Sequence, residues 1–447
     1  MAGEKSSSDC LSVTNVEGKG RGLLTCKPLA AGREILIEKP LFHLSVKSNV
    51  CDFCLREDES CKRCTACKLV YYCGRGCQKS AWKVHRLECP NLQNVPAPPS
   101  GELPHQSFRF VGRALLVGVS EGSTCLDEMK DMEAHLDKYM NNGSAVSSLL
   151  FIMTKYLGGA SSHSFDQSLI IAIAAKVACN SMSIYNSEFQ NTGIGLYARL
   201  SKINHSCDPN CVVMFNGPTA HLRTLKAIAE GEEITISYID VLNTTERRRD
   251  LLRTQFHFFC TCPVCVRSSQ GDQDASTGTV ALLDMAPVAQ RADASCPACA
   301  DDCGFPTTWD TGDAARKALT AITKLLQCAT CSLGDSSPAH CRLKDAASDC
   351  CVALKSYGDA LRFSSTTLPV YRQYYGRQHP NVGVQLMRVG KLCLCVNEDA
   401  KGMECFREAL TILQISHGDG HPLVNECLEN YYGLVQQQQQ QQHLSIR

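Results

Sequence analysis

The sequence predicts a multidomain α+β protein in which a β-rich domain is split by two insertions and followed by an α-helical C-terminal region. Three observations lead to this fold class. Strand patterns occupy residues 10–48 and return at 195–238. A cysteine-rich module and a helical stretch at 108–180 lie between them. Beyond residue 295 the apolar residues recur mostly at helical spacing.

Bulk properties restrict the class of protein. The 447 residues suffice for two or three domains, and the net charge of zero gives no global attraction to nucleic acid or to an anionic membrane. The N-terminus, MAGEKSSSDC, lacks an apolar signal core. The longest apolar run, Leu169 to Cys179, is interrupted by Lys176 and is too short to span a bilayer. We therefore expect a cytoplasmic and nuclear protein without a membrane segment, and a monomer.

The chain contains 29 cysteines, which without a signal peptide favour metal binding over disulfides. Eight residues have the spacing of zinc ligands: Cys51, Cys54, Cys64, Cys67, Cys73, Cys77, His85 and Cys89. They supply one site of four cysteines and one of three cysteines with a histidine. A module this short cannot bury enough core alone, so the metals would provide its stability. Cys61 does not fit the spacing, and reduced cysteines without metal are the alternative.

Three downstream patterns carry further chemistry. Asn204-His205-Ser206-Cys207 precedes a strand-like segment that ends at Tyr238. Cys260-x-Cys262-x2-Cys265 supplies three ligands, and a tetrahedral site needs a fourth. Gly18-Lys19-Gly20-Arg21-Gly22 predicts a turn, which alone is weak evidence for a cofactor loop. Tyr238 alone would be read as a core residue at the end of a strand.

The cysteine-rich module, with Tyr71-Tyr72-Cys73 and Trp82 at their positions, resembles a MYND zinc finger. The resemblance implies two interleaved sites: Cys51, Cys54, Cys73 and Cys77, then Cys64, Cys67, His85 and Cys89. It also implies proline-rich peptides as partners. Eight basic and five acidic residues, together with seven thiolates on two zincs, leave the finger near neutral. This balance of charge favours protein contact over direct DNA binding.

The glycine turn, the Asn204 to Asn210 segment and the Gly231 to Tyr238 segment match the SET domain. With the finger and the helical parts they resemble the SMYD family of protein-lysine methyltransferases. The resemblance implies S-adenosylmethionine as cofactor, histone or non-histone protein substrates that present a lysine, and Tyr238 as the catalytic residue. It implies cofactor contacts from these residues: Lys19, Gly20, Arg21, His135, Asn180, Asn204, His205, Tyr238 and Phe258. Cys207 would complete a third zinc site with Cys260, Cys262 and Cys265.

The same resemblance divides the chain. The predicted boundaries are 1–50 for the first part of SET, 51–89 for the finger, 90–178 for a linker and helical insert, 179–240 for core SET, 241–267 for the post-SET zinc segment, 268–295 for a linker, 296–435 for a helical domain and 436–447 for a polyglutamine tail. Gly376-Arg377-Gln378-His379-Pro380 recurs as Gly418-Asp419-Gly420-His421-Pro422 after 42 residues. This period resembles a tetratricopeptide (TPR-like) array, with chance recurrence as the alternative.

The sequence leaves two alternatives to the enzyme open. One is an adaptor or transcriptional regulator that joins partners through the finger and the helical array with little catalytic activity. The other is a zinc-dependent DNA-binding regulator. Cys296-x2-Cys299 and Cys328-x2-Cys331 would hold a fourth zinc if they come together.

Overall fold

The computed structural model describes residues 10–93, 106–120, 123–158, 165–187, 189–271, 312–327 and 336–445. The four cysteines of the possible fourth zinc site lie outside these residues. The chain divides into two compact units. The first takes its described residues from Met1–His205, Pro209–Ile236 and Leu251–Phe259, and the second from Ser206–Asp208, Ser237–Asp250 and Cys260–Arg447.

All twelve strands in the described ranges belong to the first unit. They are β1 (Leu11–Val16), β2 (Gly20–Thr25), β3 (Glu34–Glu38), β4 (Phe42–Ser45), β5 (Lys62–Arg63), β6 (Tyr71–Tyr72), β7 (Ser181–Tyr185), β8 (Asn191–Leu196), β9 (Asn204–His205), β10 (Cys211–Asn216), β11 (Thr219–Thr224) and β12 (Glu233–Ile236). They form four small sheets in the orders β1-β2-β12-β9, β10-β11-β3, β4-β8-β7 and β5-β6.

Strand β12 organises the sheet that carries the predicted cofactor residues. It pairs antiparallel with β2, where Ile234 lies opposite Leu23. On its other edge it pairs parallel with β9, where Ile236 lies opposite His205. The glycine turn between β1 and β2 and the Asn204-His205 pair therefore flank one strand, and Tyr238 follows that strand by two residues.

The described part of the chain contains fourteen α-helices. They are α1 (Arg75–Leu92), α2 (Gln106–Gly118), α3 (Cys125–Met129), α4 (Leu136–Met140), α5 (Gly143–Leu157), α6 (Gln167–Asn180), α7 (Thr245–Phe256), α8 (Pro263–Gly271), α9 (Gly312–Gln327), α10 (Pro338–Ala353), α11 (Tyr357–Tyr375), α12 (Pro380–Cys395), α13 (Asp399–His417) and α14 (Pro422–Ser445). Helix α8 continues four residues into the segment predicted as a linker, and α14 runs through the glutamine tract. No helix in the described ranges has both the length and the apolar character needed to cross a membrane.

The core of the first unit joins the finger to the helical insert. Helix α2 contributes Phe110 and Leu115, which are fully buried and belong to the same apolar cluster as Leu44 of β4. Several finger cysteines, including Cys51 and Cys89, are part of this cluster. The finger therefore shares its core with the rest of the unit instead of folding as a separate module.

The helical C-terminal region repeats every 42 residues. Helices α11 and α13 both have 19 residues and begin 42 positions apart. Each ends at a glycine with positive φ, Gly376 or Gly418. Pro380 and Pro422 begin the helices that follow, and Pro338 begins α10 a further 42 residues upstream. The repeat thus extends one period beyond the two copies recognised in the sequence, and its copies share a helix start.

Candidate active site and zinc centres

Three groups of side chains in the described residues have the composition of zinc sites. They are Cys51, Cys54, Cys73 and Cys77; Cys64, Cys67, His85 and Cys89; and Cys207, Cys260, Cys262 and Cys265. Within each group the potential ligand atoms all lie within 4.8 Å of one another. The groups are the three sets predicted from the sequence, and Cys61 belongs to none of them.

The distances between sulfurs fit a tetrahedral zinc. Zn–S bonds of about 2.3 Å place two sulfurs of a tetrahedron roughly 3.8 Å apart. The Cys54 and Cys73 sulfurs are 3.8 Å apart, and those of Cys73 and Cys77 are 3.5 Å apart. In the second group the Cys67 sulfur lies 3.7 Å from Nε2 of His85. These separations are far longer than the roughly 2 Å of a disulfide bond.

Some of these thiols, Cys54 and Cys89 among them, need a cation to lose their protons. Burial raises the pKa of Cys54 to about 11 and that of Cys89 to about 12. Protons would therefore remain on these sulfurs at neutral pH unless a metal replaced them. The residues fit zinc, whose role here is structural because four protein ligands fill the coordination sphere.

A buried carboxylate orients the histidine of the second group. Nδ1 of His85 lies 3.1 Å from Oε1 of Glu88, and both side chains are almost fully buried. The ionised carboxylate accepts only, so Nδ1 carries the proton and Nε2 is left to bind metal. Glu88 is therefore part of the zinc site although it is not a ligand.

Two arginines of α2 neutralise the carboxylates of the finger. Arg113 donates to Glu88 at 2.5 Å and 3.0 Å and to Asp52 at 2.7 Å. Arg109 donates to Asp52 at 3.0 Å and to Glu88 at 2.9 Å. Burial opposes ionisation, but the two guanidinium groups hold the pKa of Glu88 well below its usual range and lower that of Asp52 to about 2. All four side chains are at most 4% exposed.

This network changes the balance of charge on the finger. The near-neutral sum included Asp52 and Glu88, which face inward and are paired with α2. All eight basic side chains of the finger are exposed: Arg56, Lys62, Arg63, Lys68, Arg75, Lys79, Lys83 and Arg86. The surface of the finger is therefore more basic than its sequence suggests, which weakens the charge argument against nucleic acid.

The third group lies in the second unit and is tied to α7. The Cys207 sulfur is 4.0 Å from that of Cys260 and 3.6 Å from that of Cys265. Arg248 donates to the Cys265 sulfur at 3.7 Å. Arg249 donates to the backbone carbonyls of Cys260 and Cys265 at 3.2 Å and 3.1 Å. Zinc here would join the segment that carries Cys207 to residues 260–265.

Metal analysis is expected to give three zinc equivalents per chain after exhaustive dialysis, one for each ligand group. A value near two would mean that one of the three groups does not bind zinc. A value near four would support the fourth zinc site predicted for Cys296, Cys299, Cys328 and Cys331.

The predicted cofactor loop lies against Asn204. Gly18 and Gly20 have φ of 72° and 75°, a conformation that favours glycine. A Cβ on Gly22 would lie 2.9 Å from Nδ2 of Asn204, so the close approach requires glycine. Nδ2 of Asn204 donates to the Arg21 carbonyl at 3.1 Å. The turn and the motif predicted to share the cofactor are thus in direct contact.

Glu233, the first residue of β12, joins these groups and was not predicted from the sequence. Its carboxylate accepts from Asn204 Nδ2 at 2.8 Å and from Lys19 Nζ at 2.5 Å. Its place in a Gly-Glu-Glu-Ile segment gave no signal for such a role. Glu233 fixes the positions of two residues that the family resemblance assigns to the cofactor.

The other predicted cofactor residues of the first unit form a second group. The rings of His205 and Phe258 lie 5.9 Å apart. His135, at the start of α4 with a φ of 41°, lies 5.1 Å from the ring of His257. Asn180, the last residue of α6, donates to the Glu133 carbonyl at 2.7 Å. His135 is therefore close in space to the segment that carries Phe258.

The donor set fits S-adenosylmethionine. The turn presents exposed Lys19 and Arg21 beside backbone carbonyls, which suits the carboxylate and ammonium of an amino-acid end. Asn180 and His205 are buried and polar. Tyr238 is half-buried in the second unit, where Ser237 donates to the Ile239 carbonyl at 2.8 Å.

Comparison with known proteins agrees with this chemistry. A family model described as "SET domain" matches residues 20–239, which defines the protein class. Histone-lysine N-methyltransferase SMYD3 of Mus musculus is 32% identical over 92% of this chain and 94% of its own. N-lysine methyltransferase SMYD2 of Sus scrofa is 28% identical over 92% of this chain and 95% of its own. The chain therefore belongs to the SMYD family of SET-domain lysine methyltransferases.

A solved SET domain, that of LSMT bound to lysine and AdoHcy, is also similar. It has a TM-score of 0.26 and 12% identity, over 96% of this chain and 95% of that chain. A likeness this weak bears on neither mechanism nor substrate.

Membership of the family confirms the sequence prediction of a protein-lysine methyltransferase that uses S-adenosylmethionine. The predicted fold class is confirmed as well, and the three ligand groups match the three predicted zincs. The individual cofactor and catalytic residues, and the domain boundaries, stay predictions.

Proposed function

We propose that this protein methylates lysine side chains of other proteins, with Tyr238 as the catalytic residue. The observation that carries the proposal is the arrangement around β12, which has the glycine turn on one edge, Asn204 and His205 on the other, and Tyr238 just beyond its end. The position of the glycine turn, Asn204 and His205 beside one strand supports the proposal that they share a cofactor.

Each predicted residue has a role that its surroundings support. Lys19 and Arg21 would bind the carboxylate of the cofactor, and Gly20 would leave the backbone of the turn accessible. Asn180, Asn204 and His205 would hold its polar groups, while Phe258 and His135 would cover it. When bound, S-adenosylmethionine supplies a methyl group on a cationic sulfonium, which a neutral lysine amine can take up.

The chain must also favour a neutral substrate amine, because free lysine has a pKa of about 10.4. Half-buried aromatic side chains such as Phe256 and Phe258 exclude water, which disfavours the charged form of an amine. The Tyr238 hydroxyl is proposed to orient that amine. Positioning of this kind accounts for a large part of the rate enhancement in bimolecular transfers.

Tyr238→Phe is expected to reduce turnover about a hundredfold while cofactor affinity and zinc content stay unchanged. Only one preorganised hydroxyl is lost, and such losses commonly cost this much in rate. Single-turnover methyl transfer and cofactor calorimetry measure the two quantities. Tyr197→Phe is the matched control, since its hydroxyl donates to the Pro218 carbonyl at 2.7 Å. That variant should lose about 1 kcal/mol of stability but keep its turnover.

Substrates are best identified by transfer of a labelled methyl group into a cell extract, with mass spectrometry of the acceptors. Transfer to lysine that Tyr238→Phe strongly reduces would support the proposal. Cofactor binding without any acceptor would favour the adaptor function. We place the enzyme in both cytoplasm and nucleus as a monomer, and fractionation with analytical ultracentrifugation tests this.

We further propose that the finger binds proline-rich protein segments. Trp82 on α1 is 51% exposed, and such an aromatic surface suits a proline-rich ligand. The exposed cations around it would favour segments with acidic flanks. Trp82→Ala should abolish binding of such a peptide, whereas binding of duplex DNA with a steep salt dependence would contradict the assignment.

A further inference from the structure

The segment that follows Tyr238 forms a turn of its own before α7 begins. Oδ1 of Asp240 accepts from the Leu242 amide at 2.9 Å. The Asp240 carbonyl accepts from Nδ2 of Asn243 at 2.8 Å. Tyr238 therefore lies at the entry to a turn whose shape depends on Asp240.

Arg342 of α10 holds three residues of this turn at once. Its Nη2 donates to Oδ2 of Asp240 at 2.9 Å and to the Leu242 carbonyl at 2.7 Å. Its Nη1 donates to Oδ1 of Asn243 at 3.2 Å. The planar guanidinium can reach all three acceptors in a fixed geometry, which a lysine ammonium at one point cannot do.

Helix α11 supplies a second attachment to the same turn. The Tyr375 hydroxyl donates to Oδ1 of Asp240 at 2.5 Å, and the Tyr375 ring stacks on His379 at 4.7 Å. Leu242, 2% exposed, packs with Cys341 and Val370. Because Asp240 itself is 45% exposed, its ion pair adds little to stability. The contacts fix a shape more than they stabilise the fold.

The other side of the turn is held from the third zinc group. Nη1 of Arg248 donates to the Asn243 carbonyl at 2.6 Å, and its Nη2 reaches the Cys265 sulfur. Asn243 thus accepts a hydrogen bond from Arg248 at its backbone carbonyl and one from Arg342 at its side-chain oxygen. The turn is held between the zinc cluster and the helical repeats.

We infer that Arg342 is a positioning residue for methyl transfer, which places the Tyr238 hydroxyl by fixing the turn that follows it. The inference rests on the proposed role of Tyr238. It gives the helical C-terminal region a part in catalysis through one side chain that lies 104 residues beyond the tyrosine in the sequence. Arg342 does not touch the substrate in this mechanism.

Arg342→Met is expected to lower kcat about tenfold with unchanged cofactor Kd and three bound zincs, because small misplacements of a catalytic group are costly in rate. Arg342→Lys should lie between wild type and Met, since it keeps the charge but not the fork. Arg388→Met is the matched control: Arg388 has similar exposure in the same helical region and pairs with Asp349. It should keep the wild-type kcat.

The double variant Tyr238→Phe/Arg342→Met separates positioning from general damage. If Arg342 acts through the tyrosine, the combined loss of kcat should be smaller than the product of the single losses. Losses that multiply, or an Arg342→Met kcat within twofold of Arg388→Met, would overturn the inference. If Tyr238→Phe keeps full turnover, the proposed function of Tyr238 fails and the inference fails with it. If Tyr238→Phe is slow and both Arg342 variants are normal, only the inference fails.

Discussion

Cys262→Ser is expected to reduce the zinc content from three equivalents to about two and to lower turnover strongly. The four sulfurs of this group are its only ligands among the described residues, so one hydroxyl in place of a thiolate weakens a site whose binding energy is folding energy. Structural zinc sites contribute on the order of 10 kcal/mol. Without the metal, Arg248 loses the fixed sulfur partner beside which it holds the Asn243 carbonyl in the turn after Tyr238.

Cys64→Ser should also lose one zinc but should reduce turnover less in folded protein, because its group lies in the finger. Cys61→Ser is the control for both, since Cys61 is half-buried in the finger but belongs to no ligand group. It should keep three zincs and full turnover. Metal analysis and single-turnover transfer on the same samples give the comparison. Equal loss of turnover in the Cys64 and Cys262 variants would mean that the finger supports catalysis directly.

The zinc sites were predictable because their ligands follow local rules. Cys51-x2-Cys54 and Cys64-x2-Cys67 each place two sulfurs in one tight turn, and the spacing itself carries the geometry. The third site was only partly predictable. Cys260, Cys262 and Cys265 were recognised by their close spacing. Cys207 lies 53 residues away from Cys260, so it was assigned only by the family resemblance.

The residues that hold these sites in place were not predicted, because their contacts are distant in sequence. Arg113 contacts Asp52, which lies 61 residues away in the sequence, and Arg342 contacts Asp240, which lies 102 residues away. One signal was available for the first pair: Arg109 and Arg113 are four residues apart in an otherwise apolar helix, and buried arginines need acidic partners. Arg342 gave no such signal, since α10 is polar on several sides.

The helical repeats were also only partly predictable from the sequence. The two Gly-x-x-His-Pro copies were recognised by identity, whereas the copy at Gly334-Asp335-Ser336-Ser337-Pro338 keeps only the glycine and the proline. The helix-capping function of the missing histidine is retained by a different residue, Ser337. Ser337 accepts from the His340 amide at 3.1 Å, and His379 accepts from the Asn381 amide at 3.2 Å, so either side chain can cap the helix that follows. Capping chemistry and the period together, unlike residue identity, predict three copies.

Arg113→Met is expected to cause a large loss of stability. Methionine has a similar length, so little volume is lost. Among the described residues, Arg109 would then be the one arginine left to pair with Asp52 and Glu88. Removal of one partner from a buried ion pair typically costs about 3–5 kcal/mol. Glu88 would also hold His85 less firmly, and zinc bound by the second group should therefore be released faster to a chelator.

Two comparisons separate this effect from a general loss of charge. Arg56→Met removes an arginine of the same finger. The Arg56 side chain is 67% exposed where it pairs with Asp58, so this substitution should change stability little. Asp52→Asn in the Arg113→Met background removes the excess negative charge and should restore part of the stability, since the amide oxygen can still accept from Ser45. Thermal unfolding and chelator kinetics measure both effects. If Arg113→Met unfolds and releases zinc like Arg56→Met, the α2 arginines do not stabilise the finger, and the finger must hold its second zinc without them.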